Sequence, residues 1–202
     1  MMFSMIRLAF GGIAFLVIFA LIRWKKTTHR RRWSVVAFVA VILIITITAL
    51  VPIENMFITW HSLESAYSYN HTGNISIVVS GEKSDFVVGK EAEVDAYAII
   101  PKKADGWSLG MGTDINCIFQ TTSDGIDISV YRYKKSDDYY IVVFNANGGT
   151  SDIMDNRDSV FQYSETVIEA LDETFYTYYA YVRNFNDQYS ITIDDRTIEM
   201  RG

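Results

Sequence analysis

Asp152, Asp155, Asn156 and Asp158 place four oxygen-bearing side chains within the seven residues Asp152-Ile153-Met154-Asp155-Asn156-Arg157-Asp158. Calcium takes roughly six to eight hard oxygen ligands, so this stretch is the chain's candidate metal site, with calcium as its one candidate cofactor. The spacing departs from that of an EF-hand loop, and Arg157 offsets part of the charge. A plainer reading of the same residues is a solvated loop in which Asp158 caps a following helix.

The second constellation is aromatic. Phe175, Tyr176, Tyr178, Tyr179 and Tyr181 form the densest cluster of rings in the chain. Strand alternation sets Tyr176 and Tyr178 on one face and Phe175, Tyr179 and Tyr181 on the other. One face has to be core. The other would give a glycan or a peptide a stacking surface, because tyrosine joins apolar area to a polar tip. A half-covered core strand is the competing reading.

Other chemistry is thinly represented. The sequence holds no H-E-x-x-H, no G-x-S-x-G, no C-x-x-C and no glycine-rich phosphate loop. His61 and His71 lack the further ligands that a zinc site needs and are expected on the surface. Cys117 has no basic neighbour to lower its pKa and is expected as a small buried hydrophobe. No catalytic residue is assigned.

The elements that position these residues divide near residue 53. The 202-residue chain has a net charge of −6, is half hydrophobic and only 21% charged, which excludes intrinsic disorder. Its single Cys excludes an internal disulfide framework, and 2 Pro with 12 Gly exclude a low-complexity chain. The mean charge conceals a split. Residues 1–53 hold seven basic residues and no acid, whereas 54–202 hold all 24 acids and an excess of 13 negative charges.

Trp33–Ile53 runs for 21 residues without a charge. As a helix it extends roughly 30 Å, the thickness of a bilayer core. Thr46 and Thr48 can return their hydroxyls to the helix's own carbonyls, and Pro52 marks the exit. A transmembrane helix is predicted over about 34–52. A first span is predicted over about 4–22, with Arg7 snorkelling to the headgroups; an interfacial segment is the alternative there. A cleaved signal peptide fits poorly, because Leu21-Ile22-Arg23-Trp24-Lys25-Lys26 offers no small-residue cleavage site.

The intervening loop, 23–33, carries Arg23, Lys25, Lys26, Arg30, Arg31 and Arg32. By the positive-inside rule it is expected in the cytoplasm against lipid headgroups, with both chain ends and residues 54–202 outside. Anionic lipid already accounts for the basic patch, so no nucleic-acid partner is invoked. A lone Cys in an outside domain points to a bacterial cell envelope.

Beyond Pro52, Ser62 is a good N-cap for a short helix. Ile75, Ile77 and Val79 alternate with polar residues as a strand with one wet face. Val94–Ile100 reads as a strand closed by Pro101. Ile126–Tyr131 and Tyr139–Asn145 form a hairpin around Lys134–Asp138. Val160, Ser164, Val167, Ile168, Leu171 and Phe175 recur at helical spacing, and Ser159-x-x-Gln162 resembles a capping box, so a helix is predicted near 159–173. Strands close the chain at Thr174–Arg183, Tyr189–Ile193 and Thr197–Met200. The fold expected for 54–202 is mainly β, a β-sandwich-like or curved antiparallel sheet of the α+β kind with one or two short helices.

The layout resembles small membrane-anchored, β-rich envelope proteins of Gram-positive bacteria, in architecture only. The function expected is a membrane-anchored, non-enzymatic binding or accessory protein. Its partners would be the lipid bilayer, another membrane protein and a cationic or glycan ligand. A hydrolase of envelope polymer or peptide, built from scattered carboxylates, and a membrane-bound sensor subunit are the alternatives. Two buried carboxylates sharing a cleft would favour the hydrolase.

Overall fold

The computed structural model describes residues 11–20, 23, 30–50, 52–91, 94–110, 114–168 and 173–200. The chain forms two compact units, Met1–Ile58 and Thr59–Gly202.

The first unit is helical. Residues 11–20 form α1, Arg30–Leu50 form α2, and a 3-10 turn covers Ile53–Met56. After Arg32 every residue of α2 is uncharged, and the Thr46 hydroxyl donates to the Ile42 carbonyl at 2.9 Å, as expected for a threonine in an apolar helix. Pro52 has no N–H to continue the ladder, and the backbone tightens into the 3-10 turn just beyond it. Among the described residues, no helix is long and apolar enough to cross a membrane. The side chains of 30–34, 45 and 47–50 lie outside the description, so the longest described side-chain run in α2 is 35–44. The outer parts of the first expected span, 4–10 and 21–22, lie outside the described residues.

The second unit is mainly β and antiparallel throughout. Helix α3 (Leu63–Asn70) starts where expected, with Ser62 Oγ accepting the Ser65 N–H at 3.1 Å. A four-stranded sheet follows, in the order β1 (Asn74–Ser80), β2 (Ser84–Glu91), β3 (Val94–Lys103), β4 (Gly106–Trp107). A five-stranded sheet contains β5 (Ile115–Ser123), β6 (Ile126–Tyr133), β7 (Asp138–Asn145), β9 (Gln162–Ile168) and β10 (Glu173–Arg183), in the order β5-β6-β7-β10-β9. The three-stranded sheet is β12 (Arg196–Glu199), β11 (Ser190–Ile193), β8 (Ile153–Asp155). Register shifts in the β1–β2 and β5–β6 pairs are bulges, and bulges bend strands and curl a sheet. Asp124 (φ 50°) and Gly125 (φ 79°) supply the left-handed residues that turn β5 into β6.

These pieces stack in the order helix, four-stranded sheet, five-stranded sheet, three-stranded sheet. Leu63, Ala66 and Tyr67 of α3 pack on Val87, Ala98 and Ile100. On the opposite face of the first sheet, Ile77, Val79, Phe86, Val88 and Ile99 meet Tyr140, Val142 and Tyr179. The other face of the central sheet (Ile128, Val130, Ile141, Val143 and Tyr178 among others) packs on Tyr189, Ile191, Ile193 and Met200. Because β7 is covered on both sides, all but one of its residues are buried, and its sequence DYYIVVFN shows no wet face.

Two expectations fail here. The helix near 159–173 is instead β9 and the start of β10, paired Tyr163↔Tyr178 and Glu165↔Tyr176, with 169–172 outside the described residues. Val160 and Val167 are exposed, so the helical spacing marks no buried stripe, and Tyr163, Thr166, Val167 and Ile168 are residue types that favour strands. The Ser159 N–H donates to the Asp155 carboxylate, so no capping box forms, and Asp158 follows the turn at 156–157 with φ 55° and caps no helix. Pro101 does not close β3 either. The strand continues through it to pair Lys102 with Trp107.

Candidate functional site

Strand β10 lies between β7 and β9, and this position decides what its tyrosines can do. Tyr179 is fully buried towards the first sheet, where its hydroxyl donates to Asp95 Oδ2 at 2.9 Å and lies 3.1 Å from Ser164 Oγ. Tyr178 is buried on the opposite face, and its hydroxyl accepts the Ser151 N–H at 2.7 Å. Tyr181, half-buried, donates to Asp138 Oδ1 at 3.2 Å. Tyr178 and Tyr179 are therefore core on two different faces, and neither is available to stack against a ligand.

What the strand leaves open is Tyr176, half-buried, beside Tyr163 of β9, which is 53% exposed. The Tyr163 ring centroid lies 6.0 Å from that of Tyr176 and 5.9 Å from that of Tyr178, within the range of favourable aromatic contact. Val160 and Val167 on the same segment are also exposed. The sequence reading missed Tyr163 because a helical reading of 159–173 gives it the wrong facing. The cross-strand pair Tyr163↔Tyr178 is the signal that puts it on the Tyr176 side.

The buried carboxylates are bound into the fold. Asp138, at the start of β7, accepts the backbone N–H groups of Glu82, Lys83 and Ser84 at 3.1, 2.7 and 2.9 Å, with the Ser84 hydroxyl at 3.1 Å. Tyr140 adds a second tie, donating to the Ser84 carbonyl at 2.8 Å. Burial, with Asp138 and Asp85 close by, raises the Tyr140 phenol well above its ordinary value, against a smaller lowering by its hydrogen bond to Ser84. Asp85 faces Lys102 Nζ at 2.8 Å, Trp107 Nε1 at 2.7 Å and Ser80 Oγ at 2.5 Å. Asp114 pairs with Lys134 Nζ at 3.3 Å. Asp138 and Asp85 spend both oxygens on holding the sheet–turn junction together.

The loop proposed for calcium is also internally bonded. Asp155 Oδ1 accepts from the N–H groups of Arg157 and Ser159 at 3.1 and 2.8 Å, and Oδ2 from the Tyr189 hydroxyl at 2.5 Å. Burial alone would raise this carboxyl, but the hydrogen bonds from Ser159, Tyr189 and Arg157 outweigh it and hold it below the ordinary value. Asn156 bonds Gln188 and Ser190, and Asp152 contributes its backbone N–H to Asp194 Oδ1 at 3.0 Å. Among the described residues, no group of three or more His, Cys, Asp or Glu could hold a metal ion.

Cys117 is exposed, contrary to expectation, because it lies on the edge strand β5 next to the bulge with Phe119. His61 is exposed, while His71 is half-buried and stacks on Tyr67 with centroids 4.6 Å apart. Of the basic loop, Arg23 is exposed with its guanidinium 5.6 Å from the Phe19 ring centroid. Lys25 and Lys26 lie outside the described residues. Arg30, Arg31 and Arg32 form the first turn of α2, with side chains outside the description. Compared with protein-family models, curated proteins and solved structures, the chain matches none.

Proposed function

We propose that this protein is a membrane-anchored, non-enzymatic binding or accessory protein of the cell envelope. In this reading α1 and α2 lie in the bilayer, loop 23–33 faces the cytoplasm, and the β-rich unit works outside. The observation that carries it is the surface of α2. Val35, Val36, Phe38, Val39, Ile42 and Leu43 are 48–62% exposed, and the half-buried face, Ala37, Ala40, Val41 and Ile44, is equally apolar. A helix that is apolar all round needs either a protein core or a bilayer about it. The uncharged part of α2, residues 33–50, is 18 residues and about 27 Å long, within the range that spanning helices use.

A binding role is favoured over hydrolysis because both oxygens of Asp138 and of Asp85 are engaged by donors of the fold itself. The surface offered to a ligand is Tyr163 and Tyr176, suited to a glycan or a peptide, and the excess of acids elsewhere favours a cationic one. Cys117 is a natural topology reporter. In intact cells a membrane-impermeant maleimide is expected to label it, whereas Thr27→Cys in a Cys117→Ser background is expected to react only after permeabilisation. The reverse pattern, or release of the protein from membranes by alkaline carbonate, overturns the proposal.

A further inference from the structure

We infer that Met56 and Phe57 form a membrane-contact point, inserted at the headgroup–acyl boundary of the leaflet where α2 ends. The inference rests on the anchoring proposed above and adds to it a site on the chain past the helix. Met56 is 79% exposed and Phe57 73%, and outside α1 and α2 the only described large apolar side chain as exposed as these is Val160.

The pair is held, not loose. The Phe57 and Ile58 N–H groups both donate to the Glu54 carbonyl, at 3.0 and 2.8 Å, and the Asn55 N–H to the Pro52 carbonyl at 3.2 Å. The backbone thus closes on itself at two adjacent, exposed bulky side chains. The 3-10 turn begins three residues past Leu50, the last residue of α2, and its four residues rise only about 8 Å, comparable with the depth of an interfacial layer, about 5–10 Å. Residues 52–61, PIENMFITWH, hold no Lys or Arg and a single acid, Glu54, which is buried. With no cation to seek anionic headgroups, the contact is apolar. It is expected to be indifferent to salt and to lipid charge.

The test uses the full chain, Cys117→Ser, in phosphatidylcholine nanodiscs, with an environment-sensitive fluorophore on a single cysteine at Phe57→Cys or at Ile42→Cys. Nitroxide lipids labelled near the headgroup are expected to quench the residue-57 probe, and lipids labelled deep in the acyl chain to quench the residue-42 probe. Replacing part of the phosphatidylcholine with phosphatidylglycerol, or raising the salt, should change neither. If residue 42 is quenched while residue 57 responds only to a water-soluble quencher, the contact is refuted and the anchor stands. If residue 57 is shielded from both quenchers, protein and not lipid covers it, and the inference also fails. If residue 42 is unquenched by lipid, the anchor reading falls first and takes the contact with it.

Discussion

Ser84 gives Asp138 both its backbone N–H, at 2.9 Å, and its hydroxyl, at 3.1 Å, across a sequence separation of 54 residues. The carboxylate accepts three successive N–H groups at the turn between β1 and β2 and fastens that turn to β7. Replacing Asp138 with Ala leaves the N–H groups of Glu82, Lys83 and Ser84 without their acceptor, that of Ser84 in a buried place. A loss of about 1–3 kcal/mol is expected, read as a fall in melting temperature of the full chain in detergent. A change below about 1 kcal/mol, the net value of one ordinary hydrogen bond, would show that the junction does not depend on it.

Alkaline titration reads the same junction from the other side. Burial, then the charge and hydrogen bond of Asp138, push the Tyr181 phenol up to about 12. Tyr140, Tyr179 and Tyr189 are also raised, chiefly by burial. A phenol raised on folding binds its proton more tightly in the folded chain, so its contribution is complete below the free value of 10.0 and is lost as pH climbs through 10 towards 12. Melting temperature should therefore decline over that window, and Tyr181→Phe should make the decline shallower. Tyrosinate absorbance in the native protein should lag that of the denatured chain. Coincident curves would contradict the burial of these hydroxyls.

Gly89 faces Tyr67. A Cβ at position 89 would collide with the Tyr67 hydroxyl and come within 2.6 Å of its Cζ, with the Asn74 carbonyl 3.2 Å away on the other side. Gly89→Ala is expected to cost about 1–3 kcal/mol as overpacking. Tyr67→Phe, by removing the nearest atom, should recover part of that cost, so the two substitutions would couple in a double-mutant cycle. Strict additivity would mean that α3 and β2 do not meet at this point.

Calcium in the millimolar range should leave the melting temperature unchanged. Asp155 and Asn156 already direct their oxygens at Arg157, Ser159, Tyr189 and Ser190, and a cation would have to break these bonds before it gained any. A calcium-dependent rise that Asp155→Asn abolishes would restore the loop as a metal site.

Local chemistry was readable from the residues, and long-range coverage was not. Ser62 announced the start of α3 because an N-cap acts over three residues. The β6–β7 hairpin was readable from alternation on β6 and a polar tip. The segment 159–173 was misread because its apolar residues satisfy the helical spacing by coincidence. Deciding for a strand required knowing that β10 would lie alongside. Tyr178 and Tyr179 illustrate the same limit: alternation separates their faces correctly, but only the presence of a sheet on each side shows that both faces are closed. Asp138 reads from sequence only as part of the hairpin tip, Lys134–Asp138, because its partners at 82–84 are remote in sequence.

The order in which the strands are made has a further consequence. After β7 the chain leaves the central sheet to lay down β8, returns for β9 and β10, and departs again for β11 and β12. The outer side of the central sheet stays bare until Tyr189, Ile191, Ile193 and Met200 arrive. A nascent chain thus carries a finished hairpin and a half-dressed sheet until residue 200 has been synthesised. Until then that apolar face is open to any quality-control factor that grips uncovered strands.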